Sequence, residues 1–150
     1  MRKILVIEDD PSALKFTAYA LEQEGYQVLT AANGVEGLKM AQEEKPDLVV
    51  LDVLLPGMDG FELCHRLRNA DATAKLPILM LSVKARESDK NMGLKVGADE
   101  YLTKPTGPDE LMASVGRLLE HKGAVPMEED QHVSEYLKFW PHGERKEEEV

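Results

Sequence analysis

A chain of 150 residues, 43% hydrophobic and 31% charged, is one globular domain by the usual prior and large enough to bury a proper core. Its net charge of -10 argues against a nucleic-acid backbone as partner, and its one cysteine excludes an internal disulfide framework or a cysteine metal cage. The start, MRKILVIEDD, turns acidic too soon for a signal peptide and no apolar run approaches a membrane span, so a cytoplasmic chain without a membrane partner is expected.

Lys3 to Ile7 is a β-type apolar run ending in Glu8, Asp9 and Asp10. Pro11 and Ser12 suit a helix start, and Leu14, Ala18 and Leu21 recur at helical spacing until Gly25. Tyr26 to Thr30 predicts a short strand. Asn33-Gly34 predicts a turn, followed by a helical stripe of Val35, Leu38, Met40 and Ala41 that ends near Lys45-Pro46. Leu48 to Leu51 is an unbroken apolar run, as expected of a strand buried on both faces of a parallel sheet, and it ends on Asp52. Pro56-Gly57 and Asp59-Gly60 break the chain into a tight loop, with Met58 packing in it. A helix follows through Phe61, Leu63, Cys64 and Leu67, with Cys64 as a core side chain.

Pro77 to Leu81 predicts a fourth strand ending at Ser82, and Arg86 to Val96 a weakly patterned helix with Gly93 inside it. Asp99 to Thr103 predicts a fifth strand ending at Lys104-Pro105, and Pro108 to His121 a last helix with Leu111, Val115, Leu118 and Leu119 on one face. Strand and helix alternate five times, which calls for an α/β, doubly wound fold: a parallel sheet with right-handed crossovers and helices on both sides.

The composition changes after residue 122. Residues 123–150 carry eight acids and three bases, an acidic tail. Within it Val133, Tyr136, Leu137 and Trp140 are spaced as a short amphipathic helix near 131–140, stopped by Pro141. Either the tail is disordered or this face docks on the chain's own body or on a partner.

Parallel strands end at the same edge, so Glu8 and Asp9, Asp52, Ser82 and Lys104 can converge there although distant in sequence. Each has a plain explanation alone; a strand-end Asp commonly caps a loop. Together, three carboxylates repel one another, and a hard divalent cation relieves this. Oxygen ligands without Cys or His favour Mg²⁺, or Mn²⁺, over zinc. Lys104 suits an anionic oxygen and Ser82 can hydrogen-bond another, an arrangement fit to neutralise a phosphoryl group in transfer to Asp52.

ILVIEDD, LDVLLPGMDG, LMLS and YLTKP, in this order and spacing, resemble the receiver domain of two-component response regulators over residues 1–122. The resemblance implies a flavodoxin-like (βα)5 fold of strand order 2-1-3-4-5. It implies Mg²⁺ held by Asp9, Asp52 and the main-chain carbonyl of Leu54, with Glu8 acting through metal-bound water. Asp52 would take phosphate from a phosphohistidine on a sensor histidine kinase or phosphotransfer protein. Ser82 and Tyr101 would be the switch pair, Tyr101 turning inward as Ser82 moves onto the phosphoryl group. The face of the fourth helix, fifth strand and fifth helix would then be presented to a downstream protein target or to a second copy in a phosphorylation-dependent homodimer. Such a domain catalyses only its own phosphorylation and dephosphorylation.

Leu54 and Lys84 stand where family members orient the hydrolytic water. Leu54 has no polar group, so a long-lived phosphoryl group is expected, while the sign of the Lys84 effect stays open. A haloacid-dehalogenase-type phosphatase would need a second acid where Leu54 stands. A nucleotide or flavin binder would need more than the GxxG of Gly34 to Gly37, whose plainer role is helix start and packing. An adaptor working without phosphorylation would not need the acid set. His65, His121, His132 and His142 lack metal-ligand spacing and are expected on solvated surfaces. No helix-turn-helix follows, so this is either a free-standing receiver or the front of a longer protein.

Overall fold

The computed structural model describes residues 1–120. Five strands, β1 (Lys3–Ile7), β2 (Gln27–Ala31), β3 (Leu48–Leu51), β4 (Ile78–Ser82) and β5 (Glu100–Thr103), form one sheet of order β2-β1-β3-β4-β5. Every neighbouring pair is parallel. The helices between and after them are α1 (Pro11–Gln23), α2 (Gly34–Glu44), α3 (Gly60–Arg68), α4 (Glu87–Lys95) and α5 (Pro108–Glu120). This is the doubly wound, flavodoxin-like arrangement. The amphipathic stretch near 131–140 and the boundary at 122 lie outside the described residues, as do His121, His132 and His142.

Side chains of a strand alternate between its two faces, and β3 shows what this does for the core. Leu48 and Val50 enter the layer shared with Leu21 of α1 and Leu111, Val115 and Leu119 of α5. Val49 and Leu51 enter the opposite layer, with Ala41 of α2 and Leu63, Cys64 and Leu67 of α3. Each fully buried Leu contributes roughly 1.5–3 kcal/mol, so the sheet is held from both sides by ordinary hydrophobic burial. Burial also pushes the Cys64 thiol up to about 12, which keeps it protonated and unreactive.

Helix starts follow local chemistry. Asp10, Asn33 and Asp59 each accept a backbone N–H of the first turn, from Ala13, Glu36 and Glu62 at 3.0, 2.8 and 2.9 Å. Gly34 and Gly37 serve close packing: a Cβ would lie 2.8 Å from the Met58 carbonyl oxygen or 2.5 Å from Ile7 Cδ1. Three strands begin one residue later than the apolar runs suggest. Tyr26 donates its N–H to Leu21 in the turn that closes α1, Pro77 has no N–H to give, and Asp99 turns its carboxylate to other work.

That work centres on Arg68, at the end of α3. Its guanidinium donates to the carbonyls of Gly97, Ala74 and Leu76 at 2.9, 3.2 and 2.6 Å, and to Asp99 Oδ2 at 2.8 Å. Asp99 Oδ2 also accepts the N–H of Ile78 at 2.8 Å. One arginine thus ties α3 to the starts of β4 and β5.

His65 corrects an expectation. It lies buried on α3 rather than on a solvated surface, its ring Nδ1 3.0 Å from Asn69 Nδ2. Short α3 buries most of its circumference, and the residue after Cys64 is carried inward with it.

Candidate functional site

Glu8 follows β1, Asp52 follows β3, Ser82 ends β4 and Lys104 follows β5, all at one edge of the sheet. Register brings them level: Ile7 pairs with Leu51 and Ser82 with Thr103. The Asp52 N–H donates to the Ile7 carbonyl at 3.1 Å, and the Lys104 N–H to the Ser82 carbonyl at 2.8 Å. The ladder therefore runs one residue past the strands and aims the next side chains across the edge.

There the Lys104 ammonium donates to Asp52 Oδ2 at 3.1 Å and to Glu8 Oε1. The remaining oxygens are held by backbone: Asp52 Oδ1 accepts the Leu54 N–H at 3.0 Å, and Glu8 Oε2 accepts the Asp10 N–H at 3.2 Å. Glu8 and Asp52 are only 5% and 6% exposed, so the two carboxylates sit where charge is poorly screened. Asp9 is exposed beside them.

Burial pushes the Glu8 carboxyl above its usual range; the Lys104 hydrogen bond opposes this and the Asp52 charge adds to it. Burial pulls Lys104 down, but its hydrogen bonds to Glu8 and Asp52 outweigh that and hold the ammonium above its ordinary value. Glu8 and its partner both move up because Lys104 serves two carboxylates whereas Glu8 has half a cation. Two buried acids on one base leave surplus negative charge, which a cation would offset.

The donor chemistry decides which cation fits. Only oxygens are offered, which suits a hard ion. Among the described residues, no group of three or more His, Cys, Asp and Glu forms a metal cage. The arrangement therefore fits an ion that takes one or two carboxylates and keeps several waters, which is the habit of Mg²⁺.

Ser82 is wholly buried, its Oγ accepting the Lys84 N–H at 3.3 Å. Tyr101 of β5 donates its hydroxyl to the Lys84 carbonyl at 2.7 Å. Burial pushes the Tyr101 phenol up to about 12, so it stays a donor. Of the residues expected at this edge, Glu8, Asp52 and Lys104 lie in hydrogen-bond contact, and Ser82 ends β4, the strand next to β5. Nothing in the sequence marked the Lys84 main chain as common partner of Ser82 and Tyr101, because main-chain contacts carry no residue signal. Leu54 and Val83 are exposed apolar side chains next in sequence to this edge.

The model of the response regulator receiver domain matches residues 4–116. The alkaline phosphatase synthesis transcriptional regulatory protein PhoP of Bacillus subtilis is 50% identical over 118 residues, which are 79% of this chain and 48% of that protein. The chain thus spans about half the length of the first curated relatives it matches. Among solved structures, a response regulator from Chloroflexus aurantiacus described as putative is similar at TM-score 0.77 and 39% identity, over 79% of this chain and 98% of that one. The receiver domain of sensor histidine kinase PA1611 from Pseudomonas aeruginosa, solved with a magnesium ion coordinated in its active site cleft, matches at TM-score 0.75 and 28% identity, over 79% and 98%.

Proposed function

The chain belongs to the response regulator receiver domain family, and on that premise we propose that Asp52 is its phosphoacceptor. The observation that carries this is the Lys104 ammonium 3.1 Å from Asp52 Oδ2, drawn there from another strand. One Asp52 oxygen attacks the phosphorus of a phosphohistidine on a sensor histidine kinase or phosphotransfer protein. A P–O bond forms, the P–N bond breaks, and the imidazole leaves with the electron pair. Lys104 stays on the anionic edge and offsets charge on the phosphoryl oxygens. Ser82 supplies a hydroxyl to one of those oxygens once its Lys84 contact is released. Asp9, Asp52 and the Leu54 carbonyl would hold Mg²⁺, with Glu8 acting through its water, and the ion would supply charge neutralisation when bound.

Release of the Lys84 N–H by Ser82 would disturb the next peptide, whose carbonyl Tyr101 holds, so the switch pair is joined through the main chain of one residue. The face of α4, β5 and α5 then changes its fit to a downstream protein or to a second copy of the chain. The receiver acts as a cytoplasmic signalling domain and not as an enzyme on a separate substrate. Incubation with a small phosphodonor and Mg²⁺ tests the reading. One phosphoryl group should be taken up by the wild type and none by Asp52→Asn; equal uptake by both would refute it.

A further inference from the structure

Helix α4 buries a single residue, and it is Gly93. Glycine weakens a helix interior relative to alanine, so this position needs a reason. A Cβ here would stand 2.7 Å from Tyr101 Cδ2 and 2.9 Å from Met80 Sδ, inside van der Waals contact with both. The two neighbours are not equally able to yield. Met80 is fully buried in the core at the centre of β4. Tyr101 is half-buried on the outermost strand, so its ring can turn outward into solvent. That movement breaks the hydrogen bond from its hydroxyl to the Lys84 carbonyl, and the Lys84 N–H is the donor to Ser82 Oγ.

We propose that Gly93 is a positioning residue for the switch: by carrying no side chain it seats the Tyr101 ring against α4 with its hydroxyl on Lys84. It thereby sets how strongly the state of Ser82 is transmitted to the α4–β5 face. The inference rests on the phosphoacceptor reading of Asp52 for its consequence, but its geometry stands on the packing alone. Gly93→Ala should displace the ring outward and loosen the link between Ser82 and the α4–β5 face. A merely structural glycine would alter stability without moving that ring.

The full chain labelled with 3-fluorotyrosine, its Tyr101 resonance assigned by Tyr101→Phe, gives the test. Beryllium fluoride with Mg²⁺ serves as the phosphoryl mimic. Gly93→Ala should shift the Tyr101 resonance toward that of a solvent-exposed tyrosine and weaken mimic binding by about fivefold or more, the lower range of measured site couplings. In a Tyr101→Ala background the same glycine substitution should leave mimic binding unchanged, because the colliding ring is gone. If Gly93→Ala alone does not fold but the double variant does, the collision with Tyr101 is established by rescue. An unmoved Tyr101 resonance, or an equal effect in both backgrounds, overturns the proposal. A wild type that binds no mimic refutes the phosphoacceptor reading instead, and the Tyr101 resonance still judges Gly93.

Discussion

Glu8 and Asp52 compete for the same ammonium, and each therefore reports on the other. Glu8 titrates above its unfolded value, so between the two values the folded state holds more protons than the unfolded one. Stability then falls as pH rises through that window, and recovers on acidification toward the unfolded value. In Asp52→Asn the repelling charge is gone and Lys104 is left to Glu8, so the Glu8 pKa should drop, as followed by side-chain carboxyl NMR. An unchanged Glu8 titration would mean that the two acids do not communicate. Lys104 adds a second loss of the same sign at higher pH: its pairing is present at neutral pH and lost as pH climbs through its raised value above 10.5. Leu54 presents an exposed apolar side chain while its N–H holds Asp52 Oδ1. It offers an attacking water no hydrogen bond. Leu54→Asn should speed loss of phosphate from Asp52 by about tenfold, or ~1.4 kcal/mol of barrier, in a phosphoprotein decay assay. The acids and Lys104 were legible because strand-end placement is written in the alternation of apolar runs. The role of the Lys84 main chain was not legible, since nearly any residue has an N–H and a carbonyl.

Among the elements, α3 is the one whose role was least visible in advance. Its apolar spacing announced Phe61, Leu63, Cys64 and Leu67, and these are buried. Nothing in that spacing announced Arg68, because a charged residue at a helix end reads as a favourable dipole partner and no more. Its fork is instead spent on three carbonyls and Asp99, with the side chain 14% exposed. Removing it would strand Asp99 and three acceptors. Arg68→Ala should cost about 1–3 kcal/mol, the range for leaving part-buried acceptors unsatisfied, since Asp99 itself lies exposed. Urea unfolding should show a lowered midpoint at unchanged slope. Lysine should restore little, since one ammonium cannot reproduce a planar fork. The one-residue delays of β2, β4 and β5 have the same origin: hydrogen bonds to turns and side chains fix where a ladder begins, and hydropathy does not register them.

For the whole molecule, the alternation of elements called for a parallel doubly wound sheet, and the sheet has that form. The strand order 2-1-3-4-5 came from the resemblance carried by four motifs, because periodicity contains no information on which strands are neighbours. The net charge of -10 adds a general field to the local surplus of acid at the site edge. Binding of Mg²⁺ to the folded state alone should therefore raise the thermal midpoint, by a stabilisation of about 2.7 kcal/mol at a hundred times the dissociation constant. A calorimetric series in MgCl₂ against NaCl of matched ionic strength separates the site from general screening. Equal curves would remove the specific ion.

The clasp at Arg68 lies at the end of the sheet remote from Asp52, gripping β4 and β5 where they begin. Beside Asp52 the same two strands are tied again, by the Lys104 N–H on the Ser82 carbonyl at 2.8 Å. The outer ribbon is therefore moored at both ends, and a change of charge at the acidic rim reaches it through Lys104.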